Sequence, residues 1–282
     1  SGLALTALFG PRFVALFRGQ PGFDSEKSLS RREIFFLVVV LAGSAAIRLY
    51  RIDFSLQHDE WVSYYHYVRH GPFVFLTRAP LPNNQPLNSL LVWVSVQIFG
   101  TDSFSLRIPS LLCGTLSVGW FYILARRFWP GFFAGLSTFF FSICSWNLFY
   151  SQEARGYAVL ILFSIGAIYF FDRAIRGGRR GDWAGYACCS IAIIYTLIFS
   201  ALLPFGMLLS SLWRRLDSER KRQSVAVFII IGLISLLFWS PLLPQIVKYA
   251  LDGEGAKSFG NLGYLLSLPG GQFAPIGFQV GI

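Results

Sequence analysis

The chain has 282 residues, 54% hydrophobic and only 13% charged, with a formal net charge of +10 and a mean hydropathy of +0.55. A soluble domain carries nearer a quarter charged residues, so this composition excludes a water-covered globule and makes the lipid bilayer the expected surroundings. The basic residues lie in short clusters between apolar runs; that is how a topology signal looks, and no nucleic-acid partner is expected.

In chain order, residues 1–32 read as a cytoplasmic N-terminal segment, with 1–20, broken at Gly10-Pro11, forming an interfacial helix. A transmembrane core is expected over 33–243. Crossing a bilayer core of about 30 Å takes roughly 20 apolar helical residues. Seven segments meet that demand: 33–50, 105–126, 131–149, 156–172, 183–198, 199–213 and 224–243. No polar loop marks the division between 183–198 and 199–213. Residues 244–282, rich in Gly and Pro, read as an outer-face loop of a truncated chain.

An eighth apolar run, Pro86 to Phe99, rises only about 21 Å as a helix. Positive charge decides its place. If it does not cross, 16 of the 24 Lys and Arg fall on the cytoplasmic side, in 1–32, 126–127, 173–182 and 214–222. If it crosses, the four arginines of 173–182 face the wrong way, against the positive-inside rule. It is therefore read as a re-entrant or interfacial helix within one long first outer loop, 51–104. The fold class expected is all-α, a polytopic membrane protein. Cys113, Cys144, Cys188 and Cys189 all sit in apolar runs and read as small buried hydrophobes.

Asp59 and Glu60 are adjacent carboxylates just beyond the first spanning segment, among aromatic residues. Ionisable groups at membrane depth are functional candidates, and one such carboxylate could take the proton of an attacking hydroxyl. The plain alternative is that they cap a surface helix. Glu153 and Arg155 interrupt an otherwise apolar stretch. Arg155 could pair with Glu153 or with a phosphate, or the two could mark a solvated hairpin tip. Arg107, at the outer end of its helix, is either a phosphate ligand or a snorkelling anchor. His66 and His70 have helical metal-ligand spacing without a third ligand, so no metal and no other cofactor is expected.

The order of these features resembles the bacterial branch of the GT-C glycosyltransferases. The features are Asp59-Glu60; the Pro86-Leu87 helix ending Phe99-Gly100; Leu106-Arg107-Ile108-Pro109-Ser110; Ala125-Arg126-Arg127; and Tyr150-Ser151-Gln152-Glu153-Ala154-Arg155-Gly156-Tyr157. Protein O-mannosyltransferases and the aminoarabinose transferases of lipid A are similar. The resemblance implies a GT-C-type transmembrane bundle with juxtamembrane helices in the first outer loop. It implies an inverting transfer from a polyprenyl-phosphate sugar donor to a glycan, lipid or protein hydroxyl, on the outer face of a bacterial cytoplasmic membrane. Carried over, Asp59 matches the catalytic carboxylate and Glu60 its acidic neighbour. Substrate contacts fall to Arg107, Glu153, Arg155, Tyr157 and Gln85. Asn84-Gln85-Pro86-Leu87 departs from the family's Pro-Pro-Leu. The alternative function is a transporter or flippase of lipid-linked saccharides, which calls for charges near mid-membrane or two related halves.

Overall fold

The computed structural model describes residues 29–50, 52–78 and 84–251. The expected interfacial helix at 1–20, residues 80–83 of the Pro/Asn-rich turn and the tail from 252 lie outside the described residues. Those described form helices, with no strand among them.

α1 (Arg31–Leu49) starts on a capping box, in which the Glu33 N–H donates to the Ser30 hydroxyl and the Ser30 N–H to the Glu33 carboxylate, at 3.3 and 2.8 Å. The first loop then folds into α2 (His58–His66), a 3-10 turn (Val68–His70), α3 (Pro72–Thr77) and α4 (Pro86–Phe99). Proline opens α3 and α4, where its missing N–H costs nothing. Gly100, at φ 98°, ends α4 in a conformation that side chains disfavour.

α5 (Ser103–Arg126) is capped by Asp102, whose carboxylate accepts the Ser105 N–H at 2.7 Å. Pro109 inside this helix frees the carbonyl of Ser105 one turn back, and the Ser95 hydroxyl of α4 donates to it at 2.6 Å. The defect in one helix thus becomes its joint with the next.

α6 (Gly131–Ser142) and α7 (Ser145–Ser151) meet at a 56° bend, where a single helix was expected over 131–149. α8 (Tyr157–Gly177) and α9 (Arg180–Thr196) follow. Leu197 breaks the apolar stretch, and a 3-10 turn (Ile198–Ala201) leads into α10 (Leu202–Trp213), α11 (Ser218–Trp239) and α12 (Leu243–Leu251). The break at 197 is invisible as polarity because its backbone is satisfied locally, the Leu197 N–H bonding the Ile193 carbonyl at 2.9 Å.

By length and composition, α5, α8 and α11 can each cross a membrane, and the bent α6–α7 pair makes a fourth candidate among the described residues. α1, with 19 residues, carries Arg31, Arg32, Glu33 and Arg48, while α9 is 17 residues long. The main core lies between α8, α9, α10 and α11, around Phe171, Tyr186, Ile193, Ile231 and Trp239. Large apolar side chains on α1, α6, α10 and α11 point outward, among them Phe35, Phe132, Leu202 and Leu237. Helices apolar on both faces belong in lipid.

Charge is sorted to the two ends of the bundle. At one end Arg126 pairs with Glu33, Arg127 and Arg176 with Asp172, and Arg173 with Asp182. At the other lie Arg107, Asp59, Glu60 and the turn 152–156. On α5, Arg107 and Arg126 are separated by a rise of about 28 Å, close to the thickness of a bilayer core.

Candidate active site

The site is built around the turn that joins α7 to α8. Four side chains from elsewhere in the chain hold its backbone. The Ala154 N–H donates to Glu60 Oε1 at 2.6 Å, and Asn88 Nδ2 donates to the Ala154 carbonyl at 3.2 Å. The Ser110 hydroxyl donates to the Arg155 carbonyl at 3.1 Å, and the Gly156 N–H to Gln85 Oε1 at 2.6 Å. Gln152 binds outward: its Nε2 donates to the Arg48 and Tyr50 carbonyls at 3.1 and 2.9 Å, satisfying the end of α1. Gly156 is required for this fit. A Cβ there would stand 2.5 Å from Thr196 Cγ2 and 3.0 Å from Gln85 Oε1.

Glu60 and Arg107 form the second part of the frame. Arg107 Nε donates to Glu60 Oε1 at 2.9 Å and Nη2 to Oε2 at 2.6 Å, a two-pronged pair. The remaining donors serve the incoming loop: Nη1 to the Ile52 and Phe54 carbonyls, both at 2.7 Å, and Nη2 to Ser55 at 3.2 Å. Every N–H of this guanidinium is used. Glu60 also accepts the Gln57 N–H at 2.8 Å, so it caps α2 as well. The pair is buried, with 4% and 2% of each residue exposed. Val68, Val92, Leu106 and Ala154 pack beneath it.

Three of the residues expected at the site serve its frame in this geometry. Arg107 presents no spare donor to a phosphate, because loop carbonyls and Glu60 consume them all. Glu60 faces inward and fastens the loop to the turn. Gln85 spends its carbonyl oxygen on Gly156, and so shapes the turn from the position where the family's Pro-Pro-Leu differs. Asn88 escaped the sequence reading, and Ser110 and Gln152 enter it only inside longer motifs, since a lone amide or hydroxyl whose partner is a backbone atom gives no pattern.

Asp59 and Arg155 are placed differently. The Asp59 side chain is 62% exposed, and Oδ2 stands 3.3 Å from Arg155 Nη1. Arg155 is buried, with its guanidinium carbon 5.6 Å from the centre of the Tyr157 ring and Nη2 at 3.5 Å from the Tyr157 hydroxyl. Its Nε and Nη1 make no hydrogen bond. Nη1 is held only by the Asp59 ion pair and Nε by nothing, and a buried guanidinium so incompletely partnered is costly unless something else completes it. An aromatic row leads away from it, Tyr157 to Tyr150 at 4.5 Å and Tyr150 to Trp146 at 5.8 Å, ending on an exposed indole. A small cavity between Glu60, Gln85, Asn88 and Ala154, of about 10 Å³, has room for roughly one water.

Glu153 is buried beside the same groups. Burial, reinforced by the Glu60 carboxylate, pushes its pKa up to about 7, while Arg155 pulls the other way. The folded protein therefore binds this proton more tightly than the unfolded chain does. Stability is expected to fall as pH rises from about 4.5 to about 7 and then to level off. Glu153→Gln should flatten that slope, and melting temperatures of wild type and variant at about pH 5 and pH 8 check it.

A family model described as dolichyl-phosphate-mannose-protein mannosyltransferase matches residues 81–244. The chain belongs to this family. It is 28% identical over 154 residues to undecaprenyl phosphate-alpha-4-amino-4-deoxy-L-arabinose arabinosyl transferase 1 of Pseudomonas fluorescens (strain Pf0-1), a match covering 52% of the chain and 27% of that protein. A second such transferase, from P. fluorescens strain ATCC BAA-477 / NRRL B-23932 / Pf-5, is 28% identical over 151 residues, covering 51% of the chain and 26% of its own length. The match thus spans about a quarter of each relative. No solved structure matches the chain. The family match includes Gln85, Arg107, Glu153, Arg155 and Tyr157 but begins after Asp59 and Glu60. Those two are tied to it through the Arg107 pair and the Arg155 contact.

Proposed function

We propose that the chain carries the donor-facing site of a membrane glycosyltransferase that moves a sugar from a polyprenyl phosphate to an acceptor hydroxyl on the non-cytoplasmic side. The observation that carries this reading is Arg155, buried with its Nε unpartnered and its Nη1 held only by the ion pair to the exposed carboxylate of Asp59. A planar phosphate fits a guanidinium fork, and an exposed carboxylate is free to meet an incoming hydroxyl. The two relatives have undecaprenyl phosphate in their names.

In the proposed reaction Asp59 takes the proton of the acceptor hydroxyl as its oxygen attacks the anomeric carbon. The bond from that carbon to the phosphate oxygen breaks on the opposite side, inverting the centre. Arg155 offsets the charge left on the lipid phosphate. The row Tyr157–Tyr150–Trp146 gives the sugar or the first prenyl units an aromatic surface. Glu60 and Arg107 act by positioning: they fix α2, and hence Asp59, against the turn that carries Arg155.

The test is transfer of labelled sugar by the purified protein in lipid vesicles supplied with polyprenyl-phosphate sugars. Arg155→Gln is expected to lower kcat/KM by about 10–100-fold, the worth of a charged hydrogen bond, through kcat as well as KM for the donor, because the charge it offsets grows as the phosphate departs. Arg155→Lys should restore only part, since it keeps the charge and loses the fork. Donor retained without transfer by the folded wild type would favour a transporter and sink this reading.

A further inference from the structure

A second cavity lies away from this site, at the basic end of the bundle. It is a groove of about 530 Å³ between α8 and α10, lined also by Phe128 and Trp129 of the α5–α6 turn. That volume falls in the usual range for a bound small molecule, about 300–1,000 Å³. Its walls are apolar, Ile168, Phe171, Leu203 and Met207 among them, and its polar groups gather at one end: Asp172, Arg176, Ser210 and Arg214.

Two features specify the occupant. The first is charge. Asp172 is already shared by Arg127 and Arg176, at 2.8 and 2.9 Å, and no carboxylate among the described residues pairs with half-buried Arg214. Positive charge therefore exceeds negative where the groove opens. Arg220 secures this end, its Nη1 donating to the Ile175 carbonyl at 2.8 Å. The second feature is length. From Leu202 to Arg214 the groove follows α10 for a rise of about 18 Å, slightly more than one leaflet of a hydrocarbon core about 30 Å thick.

We propose that this groove binds an anionic phospholipid of the leaflet on the basic side, its phosphate at Arg214 and Arg176 and one acyl chain between α8 and α10. A polyprenyl chain, much longer than a leaflet, would overrun the groove, which separates this site from the donor site at the opposite end. The proposal rests on the membrane placement of the chain and is independent of sugar transfer.

The full chain, purified in mild detergent and washed of lipid, would be offered phosphatidylglycerol or phosphatidylcholine and the retained lipid read by native mass spectrometry. Wild type should retain phosphatidylglycerol about fivefold or more over phosphatidylcholine, and Arg214→Gln should remove most of that preference, one arginine near a headgroup being worth about 1 kcal/mol. Arg214→Lys should recover it. Gly206 lines the groove, and a Cβ there meets nothing within 4 Å, so Gly206→Phe can fill the groove without displacing a neighbour. That variant should lose both lipids while its melting temperature holds. Equal retention of the two lipids by wild type, or unchanged retention in Gly206→Phe, overturns the proposal; the latter is the result expected if a protein segment occupies the groove. Displacement by inorganic phosphate alone would also overturn it, since that marks a free-anion site.

Discussion

Asp59→Asn is expected to reduce sugar transfer by about 10²–10⁴-fold while leaving the melting temperature unchanged within error. The two halves of this result have separate causes. Asparagine matches the carboxylate in shape but cannot accept a proton, so the loss falls on kcat. The Asp59 side chain is 62% exposed against 7% for Arg155, and asparagine keeps an oxygen that can accept from the guanidinium, so the change in stability should stay within about 1 kcal/mol. Removing the ion pair cannot unfold the site. Donor binding should hold or strengthen slightly, because Arg155 loses a competitor for its guanidinium. The measurement is single-turnover transfer from a polyprenyl-phosphate sugar, with donor affinity and thermal melts on the same preparations. Transfer at the wild-type rate would remove Asp59 from the mechanism.

Neighbouring carboxylates are where the sequence reading reached its limit. Asp59 and Glu60 are consecutive in α2, about 100° apart around the helix, so they face different surroundings. Which of them faces inward depends on Arg107, 47 positions later, and no local pattern encodes that. The same holds for the turn at 152–156. Its polarity stands out against the apolar stretches on either side, which is what makes Glu153 and Arg155 legible in the sequence. The groups that shape it, Asn88 and Ser110, are single polar residues on apolar helices whose partners are backbone atoms.

Larger features were easier to read. Pro86 and Gly100 bracket α4 because one removes an N–H and the other permits a positive φ. The sorting of charge by side follows from the cost of burying it in lipid. The bend between α6 and α7 was hidden, because Ile143 and Cys144 are as apolar as the helices they separate and neither is a helix breaker like proline.

The second large effect concerns the frame of the site. Glu60→Gln should destabilise the folded protein by about 3–5 kcal/mol, the usual result of leaving one member of a buried ion pair without its partner. The carboxylate accepts from Arg107, Ala154 and Gln57, and an amide can replace only part of that set. Arg107→Gln should cost a similar amount for a different reason: the carbonyls of Ile52, Phe54 and Ser55 lose their donors together. In the double variant much of the electrostatic penalty disappears, so the two costs should fall short of additive by about 0.5–3 kcal/mol in a thermodynamic cycle. Activity should behave otherwise. The double variant still lacks the group that held the Ala154 N–H, and with it the fixed distance from Asp59 to Arg155. Transfer should therefore stay low even as stability recovers, whereas a directly catalytic Glu60 would show normal melting in the single variant, with transfer lost in both proteins that lack it and kept in Arg107→Gln. Chemical denaturation and transfer rates on all four proteins separate the two roles, because a clamp couples stability to geometry and a reacting group does not.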